Sequence, residues 1–331
     1  MRFAESQREA RAQTQRLLLA FGLTLALLVL AVNAALAAGW LLSGPLWLPG
    51  EWRFPRHFWA VNTGVTLLFV LGGWWVETSQ LKLQGGVRLA ERMGARPAQP
   101  SGRLEERRFV NIVDELAIAA GLPRPVAMVA ARESAINAFA TGWRPEDSVV
   151  AVTQGALDHL SREELQGLVA HELGHIGEGD TRLNLRLAGM VFGLEMLYRL
   201  GQRLAEPHQD GGRRLGTLMG LGLMGAGWLG WIAGHALQAA VSRQREFLAD
   251  ARAVQWTRSR DGLGGVLRKV MTQQREGLAV PSVGSTLQHL LLVGDEAGAM
   301  AHWFHSHPPL TERVRRIYGR SMTPLPLAAR P

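Results

Sequence analysis

The chain of 331 residues has no cysteine, only two lysines beside 34 arginines, and few charges overall, 19% of positions. The missing thiols exclude a disulfide scaffold and leave His, Asp and Glu as the side chains that can hold a metal. The low charge excludes a solvated, disordered chain, since an ordinary soluble protein carries about 25% charged residues. Apolar residues make up 47% of the chain. The net charge of +8 is almost wholly arginine. These arginines are dispersed and not interleaved with stacking aromatics, which argues against a nucleic-acid partner.

The shortage of charge is concentrated in runs. Residues 17–42 carry none, and that length suffices to cross a hydrocarbon layer of about 30 Å. A secretory leader has a shorter apolar core, roughly 7–15 residues. A second run, 58–76, has tryptophans near both ends, as expected where a span meets the headgroups. A third, 215–241, is rich in glycines three or four apart, a pattern that allows close helix packing in a membrane. The stretch 183–203 is weaker, because Arg186, Glu195 and Arg199 interrupt it; Glu195 and Arg199 are spaced to pair on one helical face. Arg2, Arg8, Arg11 and Arg16 precede the first span, and Lys82, Arg88, Arg92 and Arg96 follow the second. The loop between has only Arg53 and Arg56. The positive-inside rule therefore places the N-terminus and the chain after Val76 in the cytoplasm.

The remainder is polar. A Pro/Gly-rich linker at 94–102 leads into an amphipathic helix over 103–120, stopped by Gly121 and Pro123. Residues 126–130 and 148–153 read as strands, and 137–142 as strand into turn. Ser161-Arg-Glu-Glu164 is a capping box that starts a helix. Helical segments follow near 243–257 and 262–275, then a loop at 277–300 and a basic helix from about Leu310.

The capped helix carries His171-Glu172-Leu173-Gly174-His175. Histidines four apart share one helical face and can reach one ion, with the glutamate between them placed to take a proton from water. A shuffled chain of this composition would contain such a motif about 2% of the time, so a metal site is the better reading. Glu246, after the third apolar run, completes a His₂Glu set with an open position, the arrangement of a catalytic zinc. Asp250, one turn on, can accept the second N–H of a ligating histidine such as His171. Asp180 either does the same or caps the helix end. The 137–141 and 149–153 strands are candidates for adding a substrate peptide to a sheet edge, with Asn137, Val150 and Val152 as substrate-binding residues.

Four ordered stretches, Asn137–Gly142, His171–Asp180, Ser242–Asp250 and Ser306–Arg313, resemble the HtpX family of membrane zinc metalloproteases, which is related to CAAX prenyl protease type 1. The similarity runs from about Arg103 to Tyr318. It implies a mainly α membrane protein with an α+β zincin-like catalytic domain, a small β-sheet and about four transmembrane helices. It also implies a gluzincin-type endopeptidase holding one zinc ion by His171, His175 and Glu246, with Glu172 as general base and then acid. His307 becomes the candidate oxyanion donor, with His302 and His305 as rivals. The resemblance points to the inner (plasma) membrane, an active site facing the cytoplasm, and quality control of membrane or misfolded proteins under stress. Prenyl-peptide processing and a non-catalytic scaffold are the alternatives.

The two halves of this site must share one side of the bilayer, so the chain between 175 and 246 must cross an even number of times. That favours a helical hairpin over 183–241. The expected organisation is then a two-span anchor at 1–76, a catalytic lobe at 77–182, the inserted hairpin, and a C-terminal part at 242–331.

Overall fold

The computed structural model describes residues 3–43, 53–206, 214–276 and 307–327. The 277–300 loop, His302 and His305 lie outside them. In chain order the elements are α1 (Phe3–Ser43), α2 (Phe58–Arg92), β1 (Arg96–Pro97), α3 (Leu104–Ala120), β2 (Val126–Ala130), β3 (Ala138–Thr141), β4 (Val149–Thr153), α4 (Gln154–His159), α5 (Arg162–Gly177), α6 (Asp180–Ala205), α7 (Arg214–Thr257), α8 (Asp261–Arg275) and α9 (Leu310–Tyr318). They form two compact units: Met1–Ser79 with Leu187–Gln238, and Gln80–Arg186 with Ala239–Pro331.

The first unit is a bundle of four helical segments, each antiparallel to the next. Trp40 meets Phe58, Asn33 donates to Thr63 at 3.1 Å, and Phe21 meets Trp74, so α1 and α2 run in opposite directions. Gly189 faces Thr78 and Gly193 faces Val70, which sets α6 against α2. Gly220 lies against Ala205 and Gly227 against Tyr198, which sets α7 against α6. Gly222 beside Ala35 and Gly230 beside Leu28 close the ring onto α1. A Cβ on Gly227 would lie 2.4 Å from the backbone nitrogen of Tyr198, so α6 and α7 approach to a distance that a larger residue prevents.

The outside of this bundle is apolar. Leu19, Leu68 and Trp75 are each at least 70% exposed, the surface a bilayer covers and water does not tolerate in quantity. Leu19–Leu42, Phe58–Arg92 and Gly216–Thr257 are long and apolar enough to cross a membrane. The fourth expected span is not among them. α6 is a 26-residue helix in the bundle, but Arg186, Glu195, Arg199 and Arg203 lower its apolarity. Glu195 and Arg199 pair at 3.0 Å. The third apolar run and the segment near 243–257 are one helix, α7, because no proline or glycine interrupts Ala236–Thr257.

The second unit is built on a four-stranded sheet of order β1-β2-β4-β3. β2 and β4 are parallel, while β1 and β3 run antiparallel to their neighbours. Alternate side chains of β4 go to opposite faces. Val150 and Val152 join a core with α3, α5, α8 and α9, and Val149 and Ala151 join a smaller one with Ala90 of α2 and Met93 just after it. A strand covered on both faces reads as a continuous apolar run, as Val149–Val152 does. This corrects the expectation for Val150 and Val152. β4 is paired on both sides, so no peptide can add to it, and both side chains are buried. β3 is the terminal strand, and its four residues are buried as well.

α5 crosses this core against α8. At Gly167 the helices touch so closely that a Cβ would lie 2.3 Å from the backbone nitrogen of Leu263. Gly167→Ala is therefore expected to destabilise the unit by about 1–3 kcal/mol through overpacking. A melting temperature equal to that of the parent, measured in detergent, would contradict this packing.

Candidate metal centre

The local sequence fixes where α5 starts. Ser161 Oγ accepts from Glu164 N at 3.2 Å, and Glu164 Oε2 accepts from Ser161 N at 2.7 Å. Lys269 of α8 also donates to Glu164 Oε2, at 2.7 Å. From this start the helix carries His171 and His175 onto one face, with ring centroids 4.8 Å apart. α7 brings Glu246 to them. His171 Nε2 and His175 Nε2 are 3.2 Å apart, Glu246 Oε2 is 3.6 Å from the first, and Glu246 Oε1 is 3.4 Å from the second.

These three distances test whether a metal fits. Ligand atoms 2.0–2.1 Å from a tetrahedral ion stand about 3.3 Å from one another. The nitrogen–nitrogen distance and both nitrogen–oxygen distances fall near that value, with a different Glu246 oxygen facing each histidine. Behind the ligand atoms, His175 Nδ1 lies 3.0 Å from Asp180 Oδ2, and His171 Nδ1 lies 3.0 Å from Asp250 Oδ1, the latter off the direct line of its N–H. A proton held on each Nδ1 leaves both Nε2 lone pairs facing each other, an arrangement that a cation between them relieves.

The charges agree. Four carboxylates are buried here, Glu172, Asp180, Glu246 and Asp250, with two guanidiniums, Arg245 and Arg313. Arg245 Nη1 is 2.7 Å from Asp180 Oδ1. Arg313 donates to Asp250 at 2.7 and 2.9 Å and lies 3.0 Å from Glu246 Oε2. With neutral imidazoles, four negative and two positive groups leave two negative charges, the complement of a divalent cation. The histidines register the same field. Burial favours neutral His171, but Asp250 and Glu246 outweigh it and raise its pKa. Burial opposes the charge on His175 too, yet Asp180 and Glu246 hold its pKa well above the usual imidazole range. Burial pushes Glu172 above the usual carboxylate range, and the neighbouring histidines pull it back in part.

His307 lies at the same place. Its Nδ1 is 3.2 Å from Glu246 Oε1, and neither ring nitrogen has an aligned hydrogen bond among the described residues. Asn137 stands at the start of β3, where its Oδ1 accepts from Ala138 N at 2.9 Å and its own N–H donates to Thr153 Oγ1 at 2.9 Å. Its carboxamide is thus turned onto its own strand. Two residues escaped the sequence reading, Arg245 and Arg313. Arg313 was detectable in principle. Leu310, Val314 and Ile317 form the buried face of α9, and Arg313 falls on that face, where a charge needs a partner.

A family model described as peptidase family M48 matches residues 103–321. A protein named "Protease HtpX homolog" from Dictyoglomus thermophilum is 37% identical over 212 residues, 63% of this chain and 68% of that protein. A second of that name, from Caldanaerobacter subterraneus subsp. tengcongensis, is 32% identical over 272 residues, 78% of this chain and 86% of its own. Among solved structures, the crystal structure of S. mikatae Ste24p is 19% identical. That match covers 77% of this chain and 62% of the other, under two thirds of its length, with a TM-score of 0.42.

Proposed function

The chain belongs to peptidase family M48 and is a membrane metalloprotease, and we propose that it cleaves membrane or misfolded proteins with one zinc ion held by His171, His175 and Glu246. The observation that carries the reading is the cluster of two imidazole nitrogens 3.2 Å apart, each facing one oxygen of the Glu246 carboxylate, at 3.6 and 3.4 Å. Carboxylates stand behind both histidines.

Zinc bound there supplies Lewis acidity, which lowers the pKa of water to about 7 and polarises the scissile carbonyl. The chain's own residues do the rest. Glu172 takes the proton of the attacking water and returns it to the leaving amine. Asp250 and Asp180 hold the two imidazoles in the tautomer that leaves Nε2 free. His307, whose Nε2 has no partner among the described residues, donates to the developing oxyanion. Main-chain recognition by Asn137 and β3 requires whatever covers that strand to move aside, since its residues are buried. The arginines and lysine around the two N-terminal spans favour an orientation with this site on the cytoplasmic side, and the HtpX resemblance supports the inner membrane as its location.

The test is metal content with cleavage. The purified full chain in detergent should contain one equivalent of zinc and degrade an unfolded protein substrate. Chelation should abolish cleavage, and added zinc should restore it. Activity that survives complete removal of the metal would refute the proposal.

A further inference from the structure

We propose that Arg182 and Arg186, set against the indole of Trp143, bind the phosphate of an anionic membrane lipid. The two arginines lie one turn apart near the start of α6 and so share a face of that helix. Their guanidinium carbons are 5.5 and 5.6 Å from the centroid of the Trp143 ring. Trp143 itself is buried. It follows Gly142, whose φ of 139° and close approach to Ser148 make a corner after β3 that leaves no room for a Cβ. The indole is therefore a fixed platform, and both cations rest on it.

A carboxylate stands beside some arginines of this unit but, among the described residues, not beside Arg182, Arg186 or several others such as Arg103 and Arg107. Arg96, Arg124, Arg162, Arg245, Arg252, Arg313, Arg315 and Arg316 each lie against a carboxylate. Among the described residues no carboxylate lies within ion-pair distance of Arg182 or Arg186. Like charges at this helical spacing repel, and Arg186 is also partly withdrawn from water. A planar cationic pair held on an aromatic face is a ready receptor for a phosphate, which guanidinium groups can bind through paired hydrogen bonds.

Position in the chain selects a lipid as the source. Arg186 is the last residue before α6 enters the bundle at Leu187, whose outer surface is apolar. Lys82 stands three residues past Ser79, where α2 leaves that bundle. These are the points at which a membrane-spanning bundle meets headgroups, and tryptophan and arginine are favoured there. α6 begins at Asp180, the carboxylate that holds His175. A lipid bound to Arg182 and Arg186 would fix the turn that carries Asp180. That consequence rests on the metal reading; the binding itself does not.

Binding is therefore measured without metal or substrate. Short-chain phosphatidylglycerol is titrated into the full chain in neutral detergent, and bound lipid is counted by native mass spectrometry. The R182Q/R186Q double variant should bind at least about tenfold more weakly than the parent, and R182K/R186K should fall between, because lysine keeps charge but loses the fork. Phosphatidylcholine of the same chain length should bind the parent and the R182Q/R186Q variant alike. Equal phosphatidylglycerol binding by parent and R182Q/R186Q overturns the proposal. So does binding of inorganic phosphate or an acidic peptide as tight as that of the lipid, since either assigns the site to another anion. Unchanged melting of the variants excludes unfolding as the cause of a loss.

Discussion

Glu172→Gln is expected to lower peptide-bond cleavage by about 10²–10⁴-fold, the usual contribution of a general acid–base group, while zinc content stays at the parent level. Glutamine has the shape of the carboxylate it replaces, so the packing around position 172 survives. It cannot take a proton from water, and it cannot return one to an amine. The proposed ligands are the flanking His171 and His175 and the distant Glu246, so the metal triangle does not depend on Glu172. Cleavage of an unfolded substrate and elemental analysis on the same preparation separate the possible results. Full cleavage by the variant removes Glu172 from the mechanism. Loss of metal makes Glu172 a ligand or a support for one.

The elements of this fold were more legible than their arrangement. The apolar runs at 17–42, 58–76 and 215–241 became α1, α2 and α7 because lipid-facing helices need a sustained absence of charge, which is visible residue by residue. The capping box at Ser161 and the histidine spacing at 171 and 175 were visible because both are local to one helix. The failures involve partners distant in sequence. Val150 and Val152 have the composition of any strand, and nothing near them reveals that β2 and β3 pair on either side. An even number of crossings followed from the need to unite His175 with Glu246. Yet α6 joins the bundle through Gly189 and Gly193 packed against α2 and a short buried stripe, Leu187, Val191 and Leu194, too interrupted by charge to read as a span. Arg313 was hidden because its partners, Asp250 and Glu246, lie 63 and 67 positions earlier and looked like an ordinary charged helix face.

Replacing Arg313 is expected to have the other large effect, and the metal should modulate it. The side chain is fully buried, grips Asp250 with two hydrogen bonds, and lies 3.0 Å from Glu246. Arg313→Leu leaves both carboxylates buried beside each other without their guanidinium, with only the histidines to offset their charge. Removing one partner of a buried ionic group costs about 3–5 kcal/mol, so the metal-free variant should melt well below the parent. A divalent ion between His171, His175 and Glu246 restores part of the missing positive charge. Added zinc should therefore raise the melting temperature of the leucine variant by more than it raises that of the parent. Arg313→Lys separates charge from shape. It keeps the cation, so much of the metal-free stability should return. It cannot grip Asp250 with a fork, so His171 loses its orienting partner, and zinc affinity should fall by about 10–100-fold. Equal melting of parent and Arg313→Leu without metal would show that Arg313 does not neutralise this site. Parent-like zinc affinity in Arg313→Lys would show that its charge alone suffices, and that the two hydrogen bonds from Arg313 to Asp250, which stands 3.0 Å from His171 Nδ1, do not position the metal.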